Sequence, residues 1–288
     1  MAVGGGANAL EPSTPRLPRS IRYRAIVRTQ PRPLRIHVLR IDLGDRTMEC
    51  VVSAGKDPDG AGPAEAVLTA PDALADEVGA VAAINTVAWS MFPDLATGKA
   101  PGHLAGLPAG MHGWVAGPDA MHSPPEPGFW SAWRTRDGEW GIGEASSAFP
   151  DAALPRVRWA VSGFGGILRA GKVLVAPSDV RHPRTALGFD ARRRTMVWLV
   201  VDGRQEGYSE GVSEEELAHL MREQGCADAI NLDGGGSTSM WVRDAKGTLQ
   251  LMNRPSDKTG PRPVPAMLAI RRVDERNAPA RPGEDKAK

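Results

Sequence analysis

No stretch of this 288-residue sequence approaches the roughly 18 consecutive apolar residues of a membrane helix. The N-terminus, MAVGGGANALEPSTPRLPRS, lacks the apolar core of a secretory signal. Membrane insertion is therefore not expected, and the chain as it stands reads as cytoplasmic, or as exported if a leader precedes it. Cysteine is scarce. Cys50 and Cys226 allow one bridge at most, whereas small secreted scaffolds use several, so both are expected as buried free thiols. Neither sign of charge is in excess: 35 Lys+Arg against 34 Asp+Glu leave a formal net charge of +1. No global field then holds the chain on nucleic acid, and any anion site must be local. The sequence also has no GxSxG, HExxH, GxGxxG or CxxC, which removes support for triad hydrolases, zincins, dinucleotide-binding enzymes and thiol redox proteins. His103, His112 and His122 lack metal-ligand spacing. No metal and no cofactor are expected.

What is present describes a globular body: 41% apolar and 24% charged residues. Residues 1–20 and 273–288 are rich in Gly, Pro, Ala and charge and read as disordered tails, leaving one domain over 21–272. YRAIV, LRIHVLRIDLG and MECVV, broken by turn-formers, predict a strand meander. TAPDALADEVGA predicts a short helix with Thr69 as cap and Pro71 in its first turn. A second helix is predicted after Ser213, which forms a capping box with Glu216 and carries Leu217, Leu220 and Met221 on one face before Gly225 stops it. Many strands and few helices give an α+β class, with strand-rich mixed sheets. Residues 90–155, dense in Trp, Gly and Pro, read as an irregular insertion. Either it supplies substrate walls or its tryptophans pack a loop-rich core.

Three polar clusters end apolar strands: HPRT at 182–185, DGR at 202–204 and NLDGGGS at 231–237. Strand ends are rigid, as catalysis requires. In the third cluster Asn231 and Asp233 precede Gly234, Gly235, Gly236 and Ser237. That run makes either an anion-binding nest of successive N–H groups or a plain glycine hairpin capped by its Asp. It is not a P-loop, since no GK[ST] follows. DGR is a strong hairpin turn that also sets Asp202 beside Arg204, a carboxylate and a guanidinium suited to acid/base work next to a phosphate. Arg184 enters a strand expected to pair with the one ending at Asp202, so Arg184 and Arg204 could fork one phosphate. Alternatively Arg184 is a surface residue on an edge strand. His182 is either an acid/base or a hydrogen-bonding loop residue.

In this order HPRTALGFD, LVVDGRQEGYSEGVSEEELAHLMREQGCADAINLDGGGSTSM and NRPSDKTGPRPVPAMLAI resemble the phosphodiester glycosidase family, most specifically over 157–272. The resemblance implies hydrolysis of the bond between an anomeric carbon and a phosphodiester, on small-molecule or polymeric substrates such as cell-wall, capsule or polysaccharide-derived sugars. The alternative is a member that binds carbohydrate or phosphate without turnover. By motif position it places Asp202, Arg204, Asn231, Asp233 and Arg184 on a polar cleft with Gly234, Gly235 and Gly236 as its floor. The resemblance implies Asp233 as the principal carboxylate and the two arginines on phosphate, with Asp202 as nucleophile, base or structural partner. Asn85 matches a family Asn-Gly-Gly-Phe run whose glycines are here Thr86 and Val87, which implies a bulkier floor. Asn253, Ser256 and Arg262 either finish the cleft wall or fix the last strand.

Overall fold

The computed structural model describes residues 17–93, 102–149 and 156–273. The strand Thr195–Val201, TMVWLVV, is apolar on both faces and therefore belongs inside a sheet covered on both sides. It lies in a seven-stranded sheet between Leu34–Asp42 and Arg184–Phe189. Met196, Trp198 and Val200 face one core, while Val197, Leu199 and Val201 face another. The first core is closed by two five-stranded sheets, through Ile84, Met240, Leu268 and Ile270 of one and Ala132, Trp159 and Val161 of the other. Leu217, Ala218, Leu220 and Met221 of the helix Glu214–Glu223 cover the second. The far face of the sheet carrying Ala83, Met267 and Ala269 is covered by Leu74 and Ala75 of the helix Pro71–Glu77.

A ten-residue helix is marginal in water. Burying Leu217, Leu220 and Met221, at roughly 1.5–3 kcal/mol each, is what holds this one on the sheet. Its ends match expectation: the Ser213–Glu216 capping box forms, and Gly225 at φ +83° lets the Cys226 N–H reach the Met221 carbonyl. The first helix is not capped as expected. Its N-cap is Ala70, without a side-chain bond, and the Thr69 hydroxyl instead donates to the Val67 carbonyl.

The strand-rich α+β class holds, but every described pairing is antiparallel, so the sheets are not mixed. Residues 90–155 are less irregular than expected. Trp130–Thr135 and Trp140–Glu144 pair with each other, and the former pairs with Val157–Gly163, in one of the five-stranded sheets. Trp114, Trp133 and Phe149 pack together on that sheet's outer side. Most of residues 1–20 and 273–288 lie outside the described residues. Leu17 already packs on the core, so the folded body begins before residue 21. Both cysteines are free and buried, and burial pushes each thiol up to about 12.

Candidate active site

The three polar clusters converge at one end of the large sheet. The strand Asp228–Asn231 pairs with Arg184–Phe189, and the chain leaving it is bolted between two neighbours. Leu232 N–H donates to Thr185 O at 2.8 Å, Asp233 N–H to Thr86 O at 2.7 Å and Gly235 N–H to Pro183 O at 3.0 Å. The Gly234 amide binds the Asp233 carboxylate at 2.9 Å, and the Ser237 and Thr238 amides turn back onto Gly234 and Gly235. With these N–H groups committed inside the protein, the loop is not the anion nest that its glycines suggested. What the glycines provide is space. A Cβ on Gly236 would lie 2.3 Å from an Arg262 guanidinium nitrogen and 2.4 Å from an Asp257 carboxylate oxygen, so only glycine lets that ion pair close over the turn. Replacing Gly236 with Ala should displace Arg262 by about an ångström with little loss of fold, as a crystal structure of the variant beside a melting curve would show.

A cavity of about 280 Å³ opens here, lined by Phe164, His182, Pro183, Arg184, Arg204, Asp233, Gly234, Gly235, Gly236 and Arg262. Asp233 is its carboxylate. Burial raises its pKa to about 6, against the lowering pull of the Ser237 hydroxyl, the Gly234 amide, the Arg262 guanidinium and the Trp89 indole. Arg262 is held by Asp257 at 2.9 Å through two nitrogens. Arg184 is mostly buried and pairs with Glu214 at 3.2 Å, and the same Glu214 oxygen accepts from Asn231 Nδ2 at 3.1 Å. Burial, and next the offsetting Glu214 charge, set the lowered pKa of Arg184, with Arg204 lowering it further. Arg204 is exposed and has no carboxylate partner among the described residues. It sits at φ +59°, a sparsely populated conformation for a non-glycine residue and one that clusters at functional sites. Its guanidinium donates to His182 Nδ1 at 3.1 Å. An arginine cannot accept, so His182 Nδ1 must carry the lone pair and the ring is neutral. Burial, Arg204 and Arg184 all hold its pKa below the usual range.

Four expected site residues, Asp202, Asn85, Asn231 and Ser237, do not line the cavity. Asp202 is wholly buried and does not line the cavity. Its carboxylate accepts from the Arg254 amide at 3.0 and 3.1 Å and from Asn253 Nδ2 at 3.1 Å, and His37 Nε2 is 3.5 Å away. It anchors the start of the segment that carries Asp257 and Arg262 to the cleft. Asn85 is also fully buried. Its amide donates to Asp233 O at 2.7 Å, and its oxygen accepts from Thr185 Oγ1 at 2.8 Å and Ser239 N at 3.0 Å. It fixes the backbone of Asp233 from beneath instead of touching a ligand. Asn231 and Ser237 are buried behind the cavity, and Asn253 serves Asp202. Ser256 Oγ is buried without a partner.

Glu214, Asp257, Trp89 and Phe164 were not singled out in the sequence. Glu214 was legible only as a residue of an acidic helix start. Trp89 and Phe164 sit in apolar stretches that read equally well as core. Among the described residues no group of three or more His, Cys, Asp or Glu side chains is placed to hold a metal ion.

Residues 134–271 match the family model described as phosphodiester glycosidase. Over that stretch, just under half of its length, the chain resembles the phosphodiester glycosidase family. A 61-residue stretch is 43% identical to the Bos taurus N-acetylglucosamine-1-phosphodiester alpha-N-acetylglucosaminidase and covers 21% of this chain and 11% of that protein. A 67-residue stretch is 39% identical to the SPbeta prophage-derived protein YomE of Bacillus subtilis (strain 168) and covers 23% of this chain and 10% of the relative. The matches thus span about a tenth of those relatives. The zebrafish N-acetylglucosamine-1-phosphodiester alpha-N-acetylglucosaminidase catalytic domain, auto-inhibited by its pro-peptide, superposes with a TM-score of 0.62 at 20% identity, over 88% of this chain and 82% of that one. At that identity the likeness is one of fold. The family match covers all three polar clusters, while Asn85 and Trp89 lie before it.

Proposed function

We propose that this protein is a phosphodiester glycosidase, a hydrolase that cleaves the bond between a sugar anomeric carbon and a phosphodiester oxygen, releasing free sugar and a phosphomonoester. The observation that carries the reading is one cavity holding a carboxylate, Asp233, together with Arg204, a cation that no protein carboxylate neutralises among the described residues. Breaking the C1–O bond sends the electron pair to the phosphate oxygen and leaves positive charge on the ring. Arg184 and Arg204 take up the charge gathering on phosphate, and Asp233 faces the oxocarbenium-like centre that water finally attacks. A phosphate leaving group needs little protonation. One cavity-facing carboxylate is therefore enough, and Asp202 is not required for the chemistry. The neutral His182 fits this role as a support that orients Arg204 without adding repulsion.

The carboxylate must be ionised to act on the ring, so kcat/KM is expected to fall on the acid side with a midpoint near the Asp233 value of about 6. Arg204→Ala should lower kcat/KM by about a hundredfold. The deciding experiment is incubation with a panel of sugar-1-phosphodiesters, with and without EDTA, reading free sugar and new phosphomonoester. Equal release of both, unaffected by EDTA, is the expected result. Phosphomonoester appearing as sugar 1-phosphate without free sugar would mean P–O cleavage and overturn the reading.

A further inference from the structure

We infer that Phe164 is the sugar-recognition platform of this cleft, a stacking surface for the C–H-rich face of a pyranose ring. The inference rests on the glycosidase reading and deepens it. The arginines bind phosphate, which every candidate substrate shares, so they cannot tell one sugar from another. Discrimination has to come from the rest of the lining, and there the aromatic hydrocarbon ring is Phe164.

Its position is built, not incidental. The Phe164 N–H donates to Asn231 O at 2.8 Å, two residues before Asp233, so the ring and the carboxylate hang from the same strand end. The preceding Gly163 lies so close to that strand that a Cβ would come within 2.2 Å of the Asn231 carbonyl oxygen. The backbone can therefore move little. The ring is 48% exposed, unlike the fully buried Trp159 and Val161 of the preceding strand. Behind it Phe129 lies 6.4 Å away at a tilt of 36°, and His112 stacks on Phe129 at 5.3 Å and 11°. His112 is in turn held by Ser90 Oγ at 2.6 Å and Glu126 at 3.2 Å. The exposed ring is thus the inner end of a tethered aromatic row that leads into the cavity.

A pyranose carries hydroxyls around its edge and C–H groups on its faces. A flat aromatic surface matches the face without stranding a buried polar group, while hydroxyls stay wet or meet the polar wall. The same logic makes a sugar with an axial hydroxyl on the stacked face a poorer ligand.

The test is calorimetric binding of inorganic phosphate and of the 1-phosphates of glucose, galactose, mannose and N-acetylglucosamine to the full chain and to Phe164→Ala and Phe164→Trp. At least one sugar phosphate should bind the parent more tightly than phosphate does. Phe164→Ala should weaken that sugar phosphate by roughly tenfold and leave inorganic phosphate within about twofold, and Phe164→Trp should restore affinity. Three results would overturn the inference: no sugar phosphate exceeding inorganic phosphate, both ligands weakening together in Phe164→Ala, or neither weakening. Binding of these monoesters is read separately from diester cleavage. A failure of sugar release from diesters would therefore remove the hydrolase reading while leaving the stacking result to stand or fall by itself.

Discussion

Replacing Asp233 with Asn is expected to abolish turnover and, at neutral pH, to make the protein more stable. Burial is the first cause of the pKa of about 6, above the ordinary 3.8. A raised folded-state pKa means that the native protein holds the proton more tightly than the unfolded chain. The associated stability is present in full below about pH 4 and is lost as pH rises through 6. Two pK units correspond to roughly 2–3 kcal/mol as an upper limit, which the partly open cavity reduces. Asn keeps the oxygen that accepts from Gly234 and removes the charge. The variant should therefore melt a few degrees higher at pH 7 and match the parent near pH 4, while releasing no sugar. Melting curves at the two pH values together with an activity assay read both effects. A fully active variant, or one less stable at pH 7, would refute the assignment of Asp233 as the strained functional carboxylate.

Asp202→Ala should behave in the opposite way. This carboxylate is sealed inside the protein and satisfies the Arg254 amide and Asn253 Nδ2 while facing His37. The pKa of Tyr23, whose hydroxyl binds His37 Nδ1 at 2.7 Å, is pushed up to about 12 by burial and then by Asp202. Removing the carboxylate leaves buried donors without partners, a loss of about 3–5 kcal/mol. Denaturant melts should show that loss in full, with the midpoint lowered and the slope unchanged. At low temperature, where the variant is folded, kcat should remain within a few-fold of the parent, because no reacting atom touches Asp202. KM should rise modestly as the segment carrying Arg262 loosens. If Asp202→Ala keeps its stability and loses turnover, Asp202 is catalytic and the cavity described above is incomplete.

The contrast between the two aspartates shows where reading the sequence succeeds and where it stops. Both follow an apolar strand and precede a glycine, so by pattern they are equivalent. Local signals determined the helix after Ser213, whose capping box and Gly225 stop are properties of a few neighbouring residues. They also determined the pairing of Arg184–Phe189 with Thr195–Val201, because a short polar turn joins two apolar runs. The strand-rich class followed from the same patterning, whereas the convergence of HPRT, DGR and NLDGGGS was implied only by the family resemblance.

Only the tertiary structure decided which polar residue faces solvent and which faces protein. Asn85 and Asp202 are buried by partners more than 30 residues away in sequence, Thr185 and Ser239 for one, Asn253 and Arg254 for the other. Strand periodicity places a side chain on one face of a sheet, but at a strand end that face can be the core, the cleft or a packed loop. The glycine run shows the same limit. The sequence by itself determined that the backbone turns tightly at 234–236, and packing determined that the Gly235 N–H is spent on Pro183 and the Gly234 N–H on the Asp233 carboxylate. Steric freedom is a property of a residue, whereas the use made of it depends on what the rest of the chain brings within 3 Å.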